Sequence, residues 1–99
     1  MNNFGKKIRA GREQKKLLLR EVAFKLEIDT ALLSKIERGQ RKCKKEQIKT
    51  LANILDLNKK ELHTLWLADQ VYEILEDEKD GLDALKVAEK EIKYKKESN

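Results

Sequence analysis

The feature that most constrains this chain is a pair of short helical patterns between Leu17 and Gly39, separated by a break at residues 27–29. The second pattern, residues 30–38, has an apolar side and a polar side. Its apolar side carries Leu33, Ile36 and Glu37. Its polar side has the spacing i, i+3, i+4, i+7, which aligns side chains along one helix face, and it consists of Ala31, Ser34, Lys35 and Arg38.

The side chains of this polar face are small, short or basic, which lets a helix approach an acidic partner closely. The major groove of B-DNA is a natural candidate, because it is wide enough to admit an α-helix. The stretch therefore predicts a helix-turn-helix element whose second helix contacts double-stranded DNA.

Helix-forming residues dominate the composition. The sequence is rich in Leu, Lys, Glu and Ile, and it has no Pro and only four Gly. This favours an all-α fold over a sandwich or barrel. No apolar run approaches the roughly 20 residues needed to cross a bilayer, and the N-terminus lacks the apolar segment of a signal peptide. Because a single cysteine, Cys43, also fits a reducing compartment, we expect a cytoplasmic protein without a membrane segment.

The net charge of +5 is unevenly distributed along the chain. Residues 1–66 carry 17 Lys and Arg against 8 Asp and Glu, whereas residues 67–99 carry 6 against 10. A basic first part and an acidic last part indicate a polyanionic partner for the first part alone. On charge alone, the alternative is that both parts are merely solvated surfaces.

A first helix is predicted over Asn3–Lys16. One of its faces carries Phe4, Ile8 and Arg12 at intervals of one turn. An arginine on a core-facing surface needs an anionic partner, because an unpaired buried charge is costly. Glu37 has the matching problem on the apolar side of its own helix, so we expect Arg12 and Glu37 to pair. The alternative is that both side chains reach solvent independently.

Five further helices follow in the predicted order. Asp29 is a suitable N-cap before the third helix, and Gly39 is the expected left-handed residue after it. The break that precedes the last helix lies at residues 80–81. The predicted ranges are Leu19–Leu26, Thr30–Arg38, Lys45–Leu55, a fifth helix from Lys59 through Glu78, and a last helix that ends near Lys95.

A longer set of residues carries a family resemblance over residues 4–66. These are, in order, Leu17, Glu21, Val22–Ala23, Leu26, Ile28, Ser34, Ile36–Glu37–Arg38–Gly39, Ile48, Leu51–Ala52, Leu55, Leu57, Leu62 and Trp66. In order and spacing they resemble the phage repressor/Cro-like (Xre-type) helix-turn-helix family. The resemblance implies a five-helix repressor-like domain at residues 1–66 whose third helix enters the major groove, followed by a C-terminal helical extension at 67–99. It also implies that Arg12 and Glu37 occupy the positions of the family's buried ion pair.

Three positions depart from the family pattern. The family usually begins its second helix with a Ser or Asn followed by a phosphate-binding Gln, where this chain has Leu18–Leu19, and Arg20 is the candidate replacement. Glu27 stands at the usual Gly of the turn, where a left-handed backbone is strained. Cys43 stands where Pro often follows the third helix. We expect an inert thiol there, because one Cys and the distant His63 do not make a metal site.

The predicted DNA contacts fall into two classes. Phosphate contacts position a protein on the duplex, whereas contacts with base edges read its sequence. Loop 40–45 carries four cations, and the alternative is that it is solvated and touches nothing. The predicted base-reading residues are Thr30, Ala31, Ser34 and Lys35, and the predicted phosphate contacts are Arg20, Arg38, Gln40, Arg41, Lys42 and Lys45.

Apolar stripes continue beyond the region that the five-helix core needs. Apolar helical faces without an internal partner often mark an oligomer interface. We therefore interpret the extension as a dimerisation arm, and the alternative is that its last helix folds back on its own monomer. The predicted interface residues are Leu67, Val71, Ile74, Leu75, Leu82, Leu85 and Ile92.

These features together predict a homodimeric transcriptional regulator that binds a palindromic operator. The alternative is an antitoxin-type protein that binds a toxin partner and its own promoter, with Leu18–Leu19 as one contact if exposed. An enzyme is disfavoured, since no nucleophile–base pair, metal-ligand cluster or phosphate-binding Gly loop occurs. We expect no cofactor, no metal and no small-molecule ligand.

Overall fold

The protein is all-α in a computed structural model that describes residues 2–98. Within that range there are six helices and no strand. They are α1 (Asn3–Gln14), α2 (Leu19–Leu26), α3 (Thr30–Glu37), α4 (Lys45–Leu55), α5 (Lys59–Leu75) and α6 (Gly81–Ser98). The all-α prediction is confirmed. The described residues form six helices. The predicted repressor-like domain has five, and α6 belongs to the predicted C-terminal extension.

The predicted ends of α1, α3, α5 and α6 differ from the observed ones, and α3 ends at Glu37 because Arg38, its predicted last residue, is the C-cap. The bounds of α2 and α4 agree with the prediction to the residue. In contrast, α1 ends at Gln14 because Lys16, predicted to be helical, adopts a left-handed conformation with φ 56°. Similarly, α5 ends at Leu75 and not near Glu78, and α6 continues to Ser98, past its predicted end.

The chain divides into two compact units, with the boundary between Asp69 and Gln70. The first unit has a single apolar core to which its five helices and the loop before α4 contribute. Burial of each large aliphatic side chain stabilises such a core by about 1.5–3 kcal/mol. The buried apolar residues are Phe4, Ile8, Val22, Ala23, Leu26, Leu33, Ile36, Cys43, Ile48, Leu51, Ala52, Leu55 and Leu62. In the second unit, Gly81 is the one buried residue among residues 70–98.

The turn between α2 and α3 is built around a left-handed Glu27, with φ 59°. The N–H of Ile28 donates to the Ala23 carbonyl, and the N–H of Glu27 donates to the Phe24 carbonyl, both at 3.1 Å. These two bonds close α2 in a Schellman arrangement, which usually has a glycine at its left-handed position. A side chain there costs on the order of 1 kcal/mol, so the strain expected from the sequence is present in this turn.

Arg12 and Glu37 form a bidentate ion pair between α1 and α3. Arg12 Nε donates to Glu37 Oε2 at 2.8 Å and a terminal nitrogen donates to Oε1 at 3.1 Å. The two side chains are only 13% and 6% exposed. The other terminal nitrogen donates to the Leu17 carbonyl at 3.0 Å, and the hydrogen bond to Glu37 raises the pKa of Arg12. Both charges are therefore compensated within the fold.

The N-terminus of α1 is held by two polar side chains. The Asn2 side chain accepts from the Gly5 N–H at 3.1 Å and donates to the Glu37 backbone carbonyl at 2.7 Å. The Asp69 carboxylate accepts from the N–H groups of Asn3 and Phe4 at 3.1 and 2.8 Å. A carboxylate at this position also interacts favourably with the dipole of α1.

We expect Arg12→Ala to lower the free energy of unfolding by about 3–5 kcal/mol, because it leaves the Glu37 carboxylate buried without its cation. Urea unfolding followed by circular dichroism measures this loss. The matched control is Arg9→Ala, which removes an exposed pair with Glu13 and should cost about 0–1 kcal/mol.

A double variant separates the loss of the ion pair itself from the cost of leaving one buried charge unpaired. Arg12→Met combined with Glu37→Leu removes both charges, and we expect it to recover most of the lost stability. Equal losses from Arg12→Ala and Arg9→Ala would contradict the structural importance of the buried pair.

Candidate nucleic-acid interface

Helix α3 buries one face and exposes the other along its whole length. Leu33, Ile36 and Glu37 are 0%, 2% and 7% exposed, which fixes the rotation of the helix about its axis. On the opposite face, Thr30, Ala31 and Lys35 are exposed and Ser34 is half-buried. The four residues predicted to read bases thus share one accessible face of a rigidly seated helix.

Both ends of α3 are fixed by hydrogen bonds. Asp29 Oδ1 accepts from the Leu32 N–H at 2.7 Å and caps the first turn. At the other end, Gly39 is left-handed with φ 77°, and the Gln40 N–H donates to the Lys35 carbonyl at 2.9 Å. Helix α3 therefore presents its exposed face from a backbone with little freedom, which suits recognition of a fixed partner geometry.

Close approach of α1 to the end of α3 requires glycine at one position that the sequence analysis did not identify. A Cβ on Gly5 would clash with the Glu37 carbonyl oxygen and with Asn2 Oδ1. Since neither group can move without losing its hydrogen bond, a larger residue at position 5 would displace the end of α3. The sequence offers one signal of this close approach, which is the presence of a glycine, Gly5, in the first turn of a helix.

The loop after α3 exposes cations around one buried residue. The Cys43 side chain is 2% exposed, and its neighbours in the loop are exposed. Burial raises the pKa of the Cys43 thiol to about 11, so the thiol stays protonated and unreactive at neutral pH. The exposed neighbours include four of the predicted phosphate contacts, Gln40, Arg41, Lys42 and Lys45.

The two remaining predicted phosphate contacts flank α3 in the sequence. Arg20 is exposed in the first turn of α2, and Arg38 is exposed at the C-terminal end of α3, where its Nε donates to the Ser34 carbonyl at 3.3 Å. Leu18 precedes α2 without a side-chain cap, and the Glu21 side chain accepts from its N–H at 2.9 Å. The start of α2 therefore offers one arginine but no neutral polar side chain at positions 18 and 19.

Trp66 connects α5 to the loop, a role that the sequence analysis did not predict. The indole Nε1 donates to the Cys43 carbonyl at 3.0 Å, and Lys42 Nζ lies 5.8 Å from the ring centroid. In the sequence, Trp66 is only one of the residues that carry the family resemblance. A hydrogen bond across 23 residues of sequence leaves no periodic signal.

The large apolar side chains of α6 are exposed, as are several near the end of α5. Six of the seven predicted interface residues are exposed and Leu75 is half-buried. Within the second unit, α6 begins close to the end of α5, since a Cβ on Gly81 would lie 2.7 Å from the Leu75 carbonyl oxygen. The exposed members are Leu67, Val71, Ile74, Leu82, Leu85 and Ile92, with fractions between 40% and 75%.

Among residues 2–98, no cluster of three or more His, Cys, Asp or Glu side chains could hold a metal ion. No helix in this range is long and apolar enough to cross a membrane.

Comparison with known protein families identifies a helix-turn-helix domain in this chain. A family model described as a helix-turn-helix domain matches residues 3–65, which contain α1 to α4 and the first part of α5. No curated protein and no solved structure matches the chain. Because the family match covers well over half of the sequence and includes the exposed face of α3, the chain belongs to the helix-turn-helix domain family, which supports its being a small DNA-binding regulator.

Proposed function

We propose that the protein is a transcriptional regulator of the phage-repressor type that binds a palindromic operator as a homodimer, with α3 in the major groove. The observation that carries the proposal is the exposed face of α3, which is fixed at both ends and followed directly by a basic loop. Two such helices related by a two-fold axis would read half-sites about 34 Å apart, one turn of DNA.

The chemistry of the exposed face of α3 suits base edges. A lysine donates to the O6 and N7 acceptors of guanine, which makes Lys35 the main candidate for a specific contact. The methyl groups of Thr30 and Ala31 suit the methyl group of thymine, and a serine hydroxyl such as that of Ser34 can donate or accept. Short residues at 30, 31 and 34 let the helix backbone come close to the bases, so the longer Lys35 reaches farthest.

The exposed cations around α3 suit the two phosphate backbones that border a major groove. Arg20 precedes α3 in the chain, and Arg38 and the loop cations follow it. Such contacts position the protein and supply most of its affinity for any DNA, because each neutralised phosphate releases condensed counterions. Gln40 adds a neutral donor to this group.

A second copy of the chain is the proposed partner of the exposed apolar side chains in the extension. Leu82, Leu85 and Ile92 lie on one side of α6 by their spacing, and they are 75%, 43% and 57% exposed. Apolar stripes of this kind are uncommon on monomers and are typical of oligomer interfaces. A self-complementary interface also supplies the two-fold symmetry that a palindromic operator requires.

A second candidate function, an antitoxin-type protein, is favoured by exposed apolar residues on α2 and just before it. Phe24 is 82% exposed and Leu18 is 49% exposed, whereas Leu19 packs against the core. A protein partner would cover Leu18 and Phe24. The oligomeric state of the isolated protein discriminates between the two functions, because an antitoxin can rely on its partner for burial of apolar surface.

Lys35→Ala should weaken binding to the preferred operator by about 1–3 kcal/mol and relax the base preference at one position in each half-site. The operator is found by selecting bound sites from random duplex DNA, and affinities are measured by fluorescence anisotropy. Binding to unrelated duplex should fall much less. Equal losses on operator and unrelated duplex would remove Lys35 from the base-reading residues.

Lys42→Ala should weaken binding to operator and unrelated duplex by similar factors, because a phosphate contact carries no sequence information. The slope of log K against log salt should become shallower by about 1 for each phosphate that a lysine no longer neutralises. Lys86→Ala in α6, an exposed lysine far along the chain from the loop, is the matched control and should leave the slope unchanged. A selective loss on the operator would instead make Lys42 a base-reading residue.

Light scattering should give twice the mass of one 11.6 kDa chain, and Ile92→Glu should weaken the dimer at least tenfold by placing a charge in its interface. Val87→Glu is the matched control, since Val87 is 56% exposed on the opposite side of α6 by its spacing. We expect this control to remain dimeric.

Two outcomes would contradict this part of the proposal. A monomer at every concentration would favour the antitoxin-type function. Dissociation by Val87→Glu and not by Ile92→Glu would place the interface on the other side of α6.

A further inference from the structure

The single tryptophan of the chain contacts the basic loop in two different ways. Trp66 Nε1 donates to the Cys43 carbonyl at 3.0 Å, which fixes the loop backbone. The Trp66 ring lies 5.8 Å from Lys42 Nζ, within the range of a cation–π interaction. On α5, the His63 ring stacks against Trp66 with centroids 5.9 Å apart, which restricts the orientation of the indole.

The anchor acts on a loop whose charges oppose a compact conformation. The loop contains no proline, and its closely spaced cations repel one another. Other contacts that restrain it include the buried Cys43 side chain and the Lys44 N–H, which donates to Gln47 Oε1 at 2.8 Å. The bond from Trp66 adds a restraint at the residue between Lys42 and Lys44.

We propose that Trp66 is a positioning residue for DNA binding, acting through the loop and not through contact with the duplex. It holds the Cys43 carbonyl so that the cations on either side of Cys43 face the phosphate backbone. Its ring holds the Lys42 ammonium, and a DNA phosphate takes that ammonium over when the complex forms. This inference rests on the proposed function.

The exchange of Lys42 from ring to phosphate follows from the relative strength of the two contacts. A cation–π interaction at an exposed site is weak, whereas a charge-assisted bond to phosphate is short and strong and is accompanied by counterion release. Departure of an ammonium from the indole face changes the electrostatic environment of the ring. Because Trp66 is the one tryptophan, its fluorescence reports this step without a label.

The first test is Trp66→Phe, which keeps an aromatic ring and removes the N–H donor. Binding to labelled operator and to unrelated duplex is measured over a range of salt concentrations. We expect both affinities to fall by about threefold to tenfold, the range for removal of one hydrogen bond, and the salt slope to become shallower by about 1. A loss of packing alone would not alter the salt slope.

Ile54→Val is the control for packing. Ile54 is half-buried against the same core and lies on α4. We expect this variant to have a lower thermal midpoint and unchanged affinity and salt slope. Unchanged affinity and slope in Trp66→Phe, or equal changes in both variants, would overturn the inference.

The second test leaves Trp66 in place and therefore does not depend on whether its variant folds. Unlabelled operator is added to the unaltered protein and to Lys42→Ala while the tryptophan emission is recorded. We expect a saturable change in the unaltered protein and at most half of that change in Lys42→Ala at saturating DNA. The same emission change in both proteins, or none in the unaltered protein while labelled operator binds, would overturn the inference alone. Failure of the unaltered protein to bind any duplex would overturn the proposed function and this inference with it.

Discussion

The position of α3 depends on Glu37, which α1 holds through both its side chain and its backbone. Arg12 binds the carboxylate with two hydrogen bonds, and Asn2 donates to the carbonyl at 2.7 Å. These contacts act together with the buried apolar face of α3, which sets the rotation of the helix about its axis. Two contacts, one with the side chain and one with the backbone of Glu37, fix both the distance and the direction. A buried ion pair often adds little net stability compared with apolar residues, so we attribute its value here to this geometric specificity.

Sequence changes near the beginning of the chain can act on the exposed face of α3 through these contacts. Gly5 and Asn2 lie near the beginning of the chain, yet they contact the C-terminal end of α3. A substitution at either position would therefore alter the presentation of Lys35 without touching it. The position of the exposed face of α3 thus depends on a few polar contacts near the start of α1 as well as on the apolar core.

Much of the fold was predictable because it rests on local patterns. The spacing of apolar residues gives α2 and α4 to the residue. The ends of α3 are marked by the capping carboxylate of Asp29 and by the left-handed backbone of Gly39, and both residue types are visible in sequence. The predicted end of α1 was wrong because a left-handed Lys16 has no sequence signature. The hydrogen bonds of Asn2 and Trp66 were not predicted, for a different reason. These bonds join residues 35 and 23 positions apart, and only the folded backbone brings those groups together.

In the proposed complex with DNA, the beginning of α2 would influence how affinity depends on salt. In the repressor family that the sequence resembles, a polar pair usually binds a phosphate there, whereas this chain has Leu18–Leu19, and neither residue can donate from its side chain. A neutral amide that binds phosphate releases no counterion, whereas a lysine or arginine does. If the backbone contact passes from a glutamine to Arg20 and the loop cations, the protein exchanges a salt-independent contact for salt-dependent ones. Its affinity would then fall more steeply with salt than that of a regulator with the polar pair, and the conformation of the loop would influence affinity more strongly.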